Sequence, residues 1–400
     1  MPAIRARDLR RLTETMGQAA CHRHLREALE EKHLAPEDFS IRDLAEELIP
    51  EGREFVRLLD PNSKAGGINL LEDGMAVTTA QFSNITGQIM FSKIMDAYMS
   101  EAFVFSRLIP TISTRLNGEK IPGIAPIGDQ ATVVGEGNAY PLAGVSEEYI
   151  ETPPTVKRGL IVPVTKEAIF FDRTGVLLMR CSEVGEALGI NKEKRIIKCV
   201  VDETNTEHRY KWRGTTIATY DDNTGTHTWD NLAASNALED WTDIDAAEQL
   251  LANMTDPDTG EPIMVVADTI IVTPQLEAQA HYIMNATMIA QQTGGFATSG
   301  LLQRTDTPNI IGAPGRQFSP SKYRIVTSRL LRAGMATDTT WFLGSPAKAF
   351  AYMENWPIGV EQSNENSEAG FLQDIVVRYK ASERGAAATL EPRVMVKCTA

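Results

Sequence analysis

Cysteine is scarce in this chain. Its 400 residues include four, Cys21, Cys181, Cys199 and Cys398, far apart and without any CxxC spacing. Neither a zinc ribbon nor a dithiol redox motif is supported, and reduced thiols of a cytosol fit best. Long apolar runs are missing too: none approaches the roughly 20 residues needed to span a bilayer. Arg5, Arg7, Arg10 and Arg11 open the chain with no apolar stretch behind them, so no membrane insertion and no secretion signal is expected. Positive charge is in deficit, with 39 Lys and Arg against 53 Asp and Glu, a net charge of −14 and a pI near 5.0. That balance argues against a surface that grips nucleic acid throughout, because duplex binding rests on clustered cations that neutralise phosphates.

Catalytic signatures are also lacking. The sequence holds no GxxxxGK[ST] phosphate loop, no GxSxG elbow, no HExxH and no GxGxxG after a strand; Gly135-Glu136-Gly137 runs into Asn138-Ala139-Tyr140, which breaks the last pattern. Cys21-His22-Arg23-His24, with His33 nearby, is the one histidine cluster. On a helix His22 and His24 point to different faces, whereas ligands want steps of three or four, so a surface helix explains them better than a metal site. Asp256-x-Asp258-x-Gly260-Glu261 lacks the later bidentate carboxylate of a calcium loop and reads as a turn. Glu147-Glu148 sits in a Gly/Pro-rich stretch rather than a cleft that would shift a carboxyl pKa. No catalytic, cofactor or metal site is expected, and the chain is not read as an enzyme.

What is present is an ordinary globular composition, 42% hydrophobic and 23% charged, with length enough for two or three compact regions. Leu9, Leu12, Met16, Ala20, Leu25 and Leu29 are spaced as one face of a helix. Pro36-Glu37-Asp38 breaks it, and Ser40, Leu44, Leu48 and Ile49 mark a capped second helix. Asp60 to Gly67 reads as a flexible joint. Between Arg5 and Arg26 six arginines face only two acids, Asp8 and Glu14. This is either a solvated helix face or an arm that docks on an acidic partner or a neighbouring subunit.

Val77 to Pro110 reads as a helix carrying Phe82, Ile85, Ile89, Phe91, Ile94, Met95, Tyr98 and Met99 on three- and four-residue steps. Residues 111–160 hold seven glycines, short β-prone runs and no helical period. Fifty extended residues with too little apolar content for a core are improbable as a free loop, and an arm partnered by another subunit resolves the difficulty. Beyond Leu160 to Val164 a long helix is expected, capped by Asp172 or Thr174, with Leu177, Leu178, Cys181, Val184, Ala187 and Leu188 on one face and an interruption near Gly185, Gly189 and Asn191. Residues 209–229 read as a hairpin around Asp221 to Gly225. A helix over Ile244 to Met254, a strand over Ile270 to Pro274, a helix over Gln275 to Met284 and strands over Tyr323 to Thr327 and Thr340 to Leu343 follow. From Phe371 to Lys397 the pattern predicts a closing antiparallel pair, Asp374 to Tyr379 and Arg393 to Val396, with Glu383-Arg384-Gly385 as a turn.

This order of an N-terminal helical arm, an apolar helix, a β arm, a long helix, a mixed region and closing strands resembles the Hong Kong 97-type major capsid protein of tailed phages over residues 68–400. Lys120-Ile121-Pro122-Gly123 to Arg158-Gly159 looks like the family's E-loop, and Gly175 to Asp202 like its spine helix. Ile244 to about Leu343 looks like the A-domain, and Phe371 to Lys397 like the returning P-domain strands. The resemblance implies an α+β fold divided as an N-terminal extension (1–64), N-arm and start of the P-domain (65–110), E-loop (111–160), spine helix and hairpin (161–243), A-domain (244–345) and returning strands (346–400).

It further implies a shell subunit of the virion, assembled in the host cytoplasm as hexamers and pentamers around double-stranded DNA without sequence-specific binding. The portal is an implied partner, and scaffolding or decoration proteins are possible ones. An acidic inner wall suits that role, since it does not adhere to the genome. The implied intersubunit contacts are Arg115, Glu119, Lys120, Asp129, Glu136, Tyr140, Glu147, Glu148 and Arg158 on the E-loop, and Arg5, Arg7, Arg10 and Arg11 on the N-terminal arm. Some members weld their shells through an E-loop lysine; Gly128 to Pro154 holds none, so a non-covalent shell is expected. An encapsulin-type compartment shares the fold, and an enzyme with a cleft in 244–345 is the alternative from another class.

Overall fold

The computed structural model describes residues 9, 11–12, 15–49, 52–58, 76–124, 133–134, 136, 139, 147–203, 210–212, 214–222, 230–255, 262–285, 288–292, 304–308, 323–335, 337–363 and 375–400. In chain order the helices are α1 (Gln18–Glu30), α2 (Ile41–Leu48), α3 (Gly52–Leu58), α4 (Ala76–Tyr98), α5 (Phe105–Leu108), α6 (Lys166–Phe170), α7 (Thr174–Val201), α8 (Trp241–Ala252), α9 (Glu277–Asn285) and α10 (Pro346–Ala349). The strands are β1 (Thr111–Ser113), β2 (Lys120–Ile124), β3 (Glu147–Glu151), β4 (Val156–Thr165), β5 (Tyr210–Trp212), β6 (Thr215–Ile217), β7 (Leu232–Ala233), β8 (Thr269–Val272), β9 (Met288–Gln292), β10 (Arg304–Pro308), β11 (Arg324–Thr327), β12 (Trp341–Gly344), β13 (Phe350–Gln362), β14 (Ile375–Thr389) and β15 (Met395–Cys398). The expected joint at 60–67 and the turn at 256–260 lie outside the described residues.

The chain divides into two compact units. The first holds Met1–Glu101, Val156–Asn191 and Trp356–Arg384. Its core joins Leu9, Leu25, Leu29, Leu44 and Leu48 to Ile85, Ile89, Ile94, Leu177, Leu178, Val377 and Tyr379, so the N-terminal helices are built into the unit. Each such aliphatic side chain contributes about 1.5–3 kcal/mol by leaving water. Met16, Met99 and Ala187, expected on buried faces, are exposed. Gly17, at φ 81°, ends the first helical stretch before α1 and turns the chain there, so Met16 leaves the face that Leu25 and Leu29 continue. Ser40 caps α2 as its spacing predicts: its Oγ accepts from the Asp43 amide at 3.2 Å and donates to Asp172 Oδ1 at 2.9 Å.

The apolar helix expected to reach Pro110 ends at Tyr98, and the separate turn α5 follows. The expected interruption of the long helix is absent: α7 runs unbroken from Thr174 to Val201. Gly185 serves another purpose, since a Cβ there would lie 2.3 Å from the Ile94 carbonyl oxygen and 3.0 Å from Ala97 Cβ. The glycine lets α4 and α7 touch backbone to backbone.

The second unit holds Ala102–Thr155, Lys192–Asn355 and Gly385–Ala400. Its five-stranded sheet runs β11-β8-β12-β15-β7. β8, β12 and β15 are buried at every position, the pattern of strands covered on both faces. Ile270, Val272, Leu343 and Val396 meet Ile244, Ala247 and Leu251 of α8 on one side. Ile271, Phe342 and Met395 meet Ile196, Ile197 and Val200 on the other. α8 begins at Asp240, whose side chain accepts from the Thr242 amide at 2.7 Å while Asp243 accepts from the Asp240 amide at 2.8 Å, a reciprocal cap. β5 and β6 turn at Gly214, φ 79°, ahead of the turn expected at 221–225; there the antiparallel bridge Asp222↔Asp230 is present.

The C-terminal pair is corrected more deeply. β14 passes straight through Glu383-Arg384-Gly385, because Glu383 is buried and accepts from Tyr98 Oη at 2.5 Å, and Gly385 packs where a Cβ would lie 2.5 Å from Tyr352 Oη. The last strand starts at Met395 and pairs with β12 and β7, not with β14.

Candidate functional site

The stretch expected to form an arm contains β2 and β3, paired antiparallel in the register Lys120↔Glu151, Ile121↔Ile150, Pro122↔Tyr149, Gly123↔Glu148 and Ile124↔Glu147. β5 and β6 extend the sheet on the β3 side. Pro122 therefore falls on an edge strand, where its missing N–H costs no ladder bond.

Side chains that the sequence reading passed over fix the root of the arm. The Thr152 amide donates to the Glu119 carbonyl at 2.9 Å, and Thr152 Oγ1 accepts from the Glu119 amide at 2.8 Å. Asn117 Oδ1 accepts from the Thr155 amide and hydroxyl at 3.0 and 3.1 Å. Asn355 Nδ2 donates to the Thr114 and Leu116 carbonyls at 3.0 and 2.9 Å. Thr152-Pro153-Pro154-Thr155 was the available signal: two fixed φ angles flanked by hydroxyls stiffen the place where the arm returns. Upstream, the buried carboxylate of Glu193 accepts from the Phe105 and Ser106 amides at 2.7 and 2.8 Å and from Ser106 Oγ at 2.7 Å. That pins the segment feeding β1, which runs parallel to β13 from Thr111↔Tyr352 to Ser113↔Glu354.

Of the residues singled out from sequence, Glu119 and Lys120 are drawn into this root. Glu119 Oε2 accepts from Thr114 Oγ1 at 2.7 Å. Lys120 pairs with Glu151 at 3.3 Å and lies 4.7 Å from the Tyr149 ring centroid. An ion pair this exposed is worth at most about 1 kcal/mol. Glu147 and Glu148 stand on β3, Glu136 is exposed, and so is Arg115. Arg158 belongs to β4, in the other unit. Arg11 is exposed. Asp129, Tyr140, Arg5, Arg7 and Arg10 lie outside the described residues.

Elsewhere the chemistry is quiet. Among the described residues no group of three or more His, Cys, Asp or Glu is placed to hold a metal. All four cysteines are buried and free, and burial pushes the thiols of Cys181, Cys199 and Cys398 up to about 12, which leaves them poor nucleophiles at neutral pH. A cavity of about 350 Å³ in the first unit is lined by Arg26, Asn84, Gln88, Phe91, Gln362 and Tyr379 among others, without a carboxylate or histidine to act as acid or base.

A family model described as phage capsid protein matches residues 148–398. Among solved structures the chain is similar to one from Gordonia phage Cozz (14% identity, TM-score 0.44, covering 75% of this chain and 87% of that one). It is similar also to one from Mycobacterium phage Che8 (18%, 0.40, 74% and 90%) and to the capsid of a native GTA particle (9%, 0.44, 75% and 90%). No curated protein matches the sequence. The family model spans more than half of the chain and takes in β3, the whole of α7, the five-stranded sheet and the closing strands; the chain belongs to the phage capsid protein family.

Proposed function

We propose that this capsid protein is the major head subunit, self-assembling as hexamers and pentamers into an icosahedral shell that encloses double-stranded DNA in the virion after assembly in the host cytoplasm. The observation that carries the reading is the β2–β3 pair, edged by β5 and β6 on one side, on a hydrogen-bonded root. Ordering such a glycine-rich ribbon costs about 1–2 kcal/mol per residue, and partner contacts repeated around a closed shell offset that cost. Residues 111–160 act as the E-loop, 161–243 and 346–400 as the P-domain and 244–345 as the A-domain. Arg115, Glu119, Lys120, Asp129, Glu136, Tyr140, Glu147, Glu148 and Arg158 lie at or near intersubunit contacts, with Glu119 and Lys120 setting the arm's root. Arg11 and its neighbours Arg5, Arg7 and Arg10 meet an adjoining subunit. A portal fills one vertex, and the chain performs no catalysis. The family match favours a phage shell over an enzyme-loading compartment.

Deletion of residues 125–145 tests the role of the arm. Folded subunits or capsomers that do not close into shells are expected, and intact particles from the deleted chain would refute it.

A further inference from the structure

Just ahead of β8 the chain shows a bare edge. From Pro262 to Asp268 exposure alternates without a break: Pro262, Met264, Val266 and Asp268 face solvent, while Ile263, Val265 and Ala267 are half-buried. That is the two-residue period of an extended strand. Val265 and Ala267 pack on the core of the second unit and fix the segment in place. The Ile263 amide donates to the Met254 carbonyl at 2.8 Å, and the Asp268 amide to the Gly344 carbonyl at 3.1 Å. Between them, among the described residues, the backbone groups of Met264, Val265, Val266 and Ala267 have no hydrogen-bond partner. Such groups bond water in an isolated chain and a further strand in an assembly.

The outward side chains of this edge are apolar. Met264 is 96% exposed and Val266 62%, and no charge falls between Pro262 and Ala267. Natural edges are commonly blunted by a lysine, a proline or a bulge; here Pro262 stands at the start, and neither lysine nor proline follows before β8. A short, uncharged run of high β propensity is the composition that pairs with its own kind. Two identical strands also fit in charge. With Val265 opposite Val265 of a second copy in antiparallel register, Asp268 falls opposite Pro262 and not opposite another acid.

We propose that residues 263–267 of two copies pair antiparallel about a twofold axis. Alternation sends the backbone groups of Met264 and Val266 to the edge away from Met254, because the Ile263 amide is spent on that side. Met264 then exchanges both of its backbone bonds with Val266 of the second copy, and Val266 with Met264 of the second copy. Their side chains lie next to each other on the outer face, so each methionine gains an apolar neighbour. The twofold relation closes the contact at two chains. It uses the second unit alone, needs no part of the arm, and does not depend on shell closure.

Positions 264 and 266 are exposed, so variants there are read on a folded chain. In Met264→Cys/Val266→Cys the paired Cα atoms of the two copies stand about 5.5 Å apart, within disulfide range, and the four natural cysteines are buried. Mild oxidation of the full chain is expected to give a covalent dimer and nothing larger. Met264→Cys alone, whose counterpart is two positions off, stays unlinked. In sedimentation equilibrium below the concentration at which shells close, Met264→Glu/Val266→Glu sets like charges opposite each other and weakens the dimer at least about tenfold. Met264→Lys/Val266→Glu sets opposite charges together twice and restores it, with an affinity that falls as salt rises. A covalent ladder beyond the dimer would show a head-to-tail contact and overturn the pairing. Equal association of the wild-type and doubly acidic chains overturns it too, as does a charge-swapped chain as weak as the doubly acidic one. A wild-type chain that stays monomeric, with the cysteine pair unlinked, overturns it and leaves the edge to a different protein.

Discussion

Replacing Gly185 by alanine sets two effects of opposite sign against each other. In the middle of α7 the change removes the conformational cost of glycine, a gain of about 1 kcal/mol on an open helix surface. The added Cβ, however, would stand 2.3 Å from the Ile94 carbonyl oxygen, where 3.0 Å is the floor for real Cβ atoms, so the two helices must part by at least 0.7 Å. The obstacle is backbone and cannot rotate away, and overpacking of this kind costs about 1–3 kcal/mol. Parting α4 from α7 also loosens Ile94, Leu178 and Cys181, which share one core. The balance is a net loss of up to about 2 kcal/mol, read as a lower urea midpoint at unchanged slope. Gly175 in the first turn of the same helix has nothing within 4 Å of a Cβ, so Gly175→Ala is expected to be neutral or slightly stabilising. A Gly185→Ala chain about 1 kcal/mol more stable than wild type would show that the helices are not in contact there and would refute the reasoning.

Other consequences are as specific. Glu193→Ala strands two amides and a hydroxyl that its carboxylate now receives and should cost about 3 kcal/mol or more, with Glu193→Gln milder; equal stability of Glu193→Ala and wild type in urea would contradict the bonding. Asp230 is raised from its ordinary value first by burial, then by the charges of Asp222 and Asp221. A raised carboxyl weakens the fold above its own pKa and stops doing so once protonated. Asp230→Asn should therefore raise the melting temperature at pH 7, with the advantage fading as the pH falls through the raised pKa and gone below about pH 4; a constant difference across that range would count against the like-charge bridge. Cys181, Cys199 and Cys398 should resist a thiol reagent in the native chain and react together on unfolding; rapid native labelling of any of the three would contradict their burial.

Features whose cause is local were legible in the sequence. Ser40 announced the start of α2 because its hydroxyl serves an amide three residues on. Ile270 to Pro274 read as a buried strand because Ile270-Ile271-Val272 has no polar alternate, and β8 is buried at every position. Features whose cause is a distant partner were not. Gly185 reads as a break until Ile94 is brought against it, and Glu383-Arg384-Gly385 reads as a turn until Tyr98 and Tyr352 supply contacts 285 and 33 residues away. The partners of β15 were missed because strand order in a sheet depends on topology, which alternation along one strand does not encode. On the candidate site, short β-prone runs without a helical period pointed to extended strands, and β2 and β3 lie there. The root made by Asn117, Thr152, Thr155 and Asn355 needs partners up to 241 residues apart and was out of reach.

The measurement that bears most directly on the shell-subunit account is negative-stain electron microscopy of the protein expressed alone, with light scattering on the same sample. Closed shells some tens of nanometres across, or rings of five and six subunits, are the expected result. A stable monomer or dimer that never assembles, at any concentration and with or without the other head components, would contradict it.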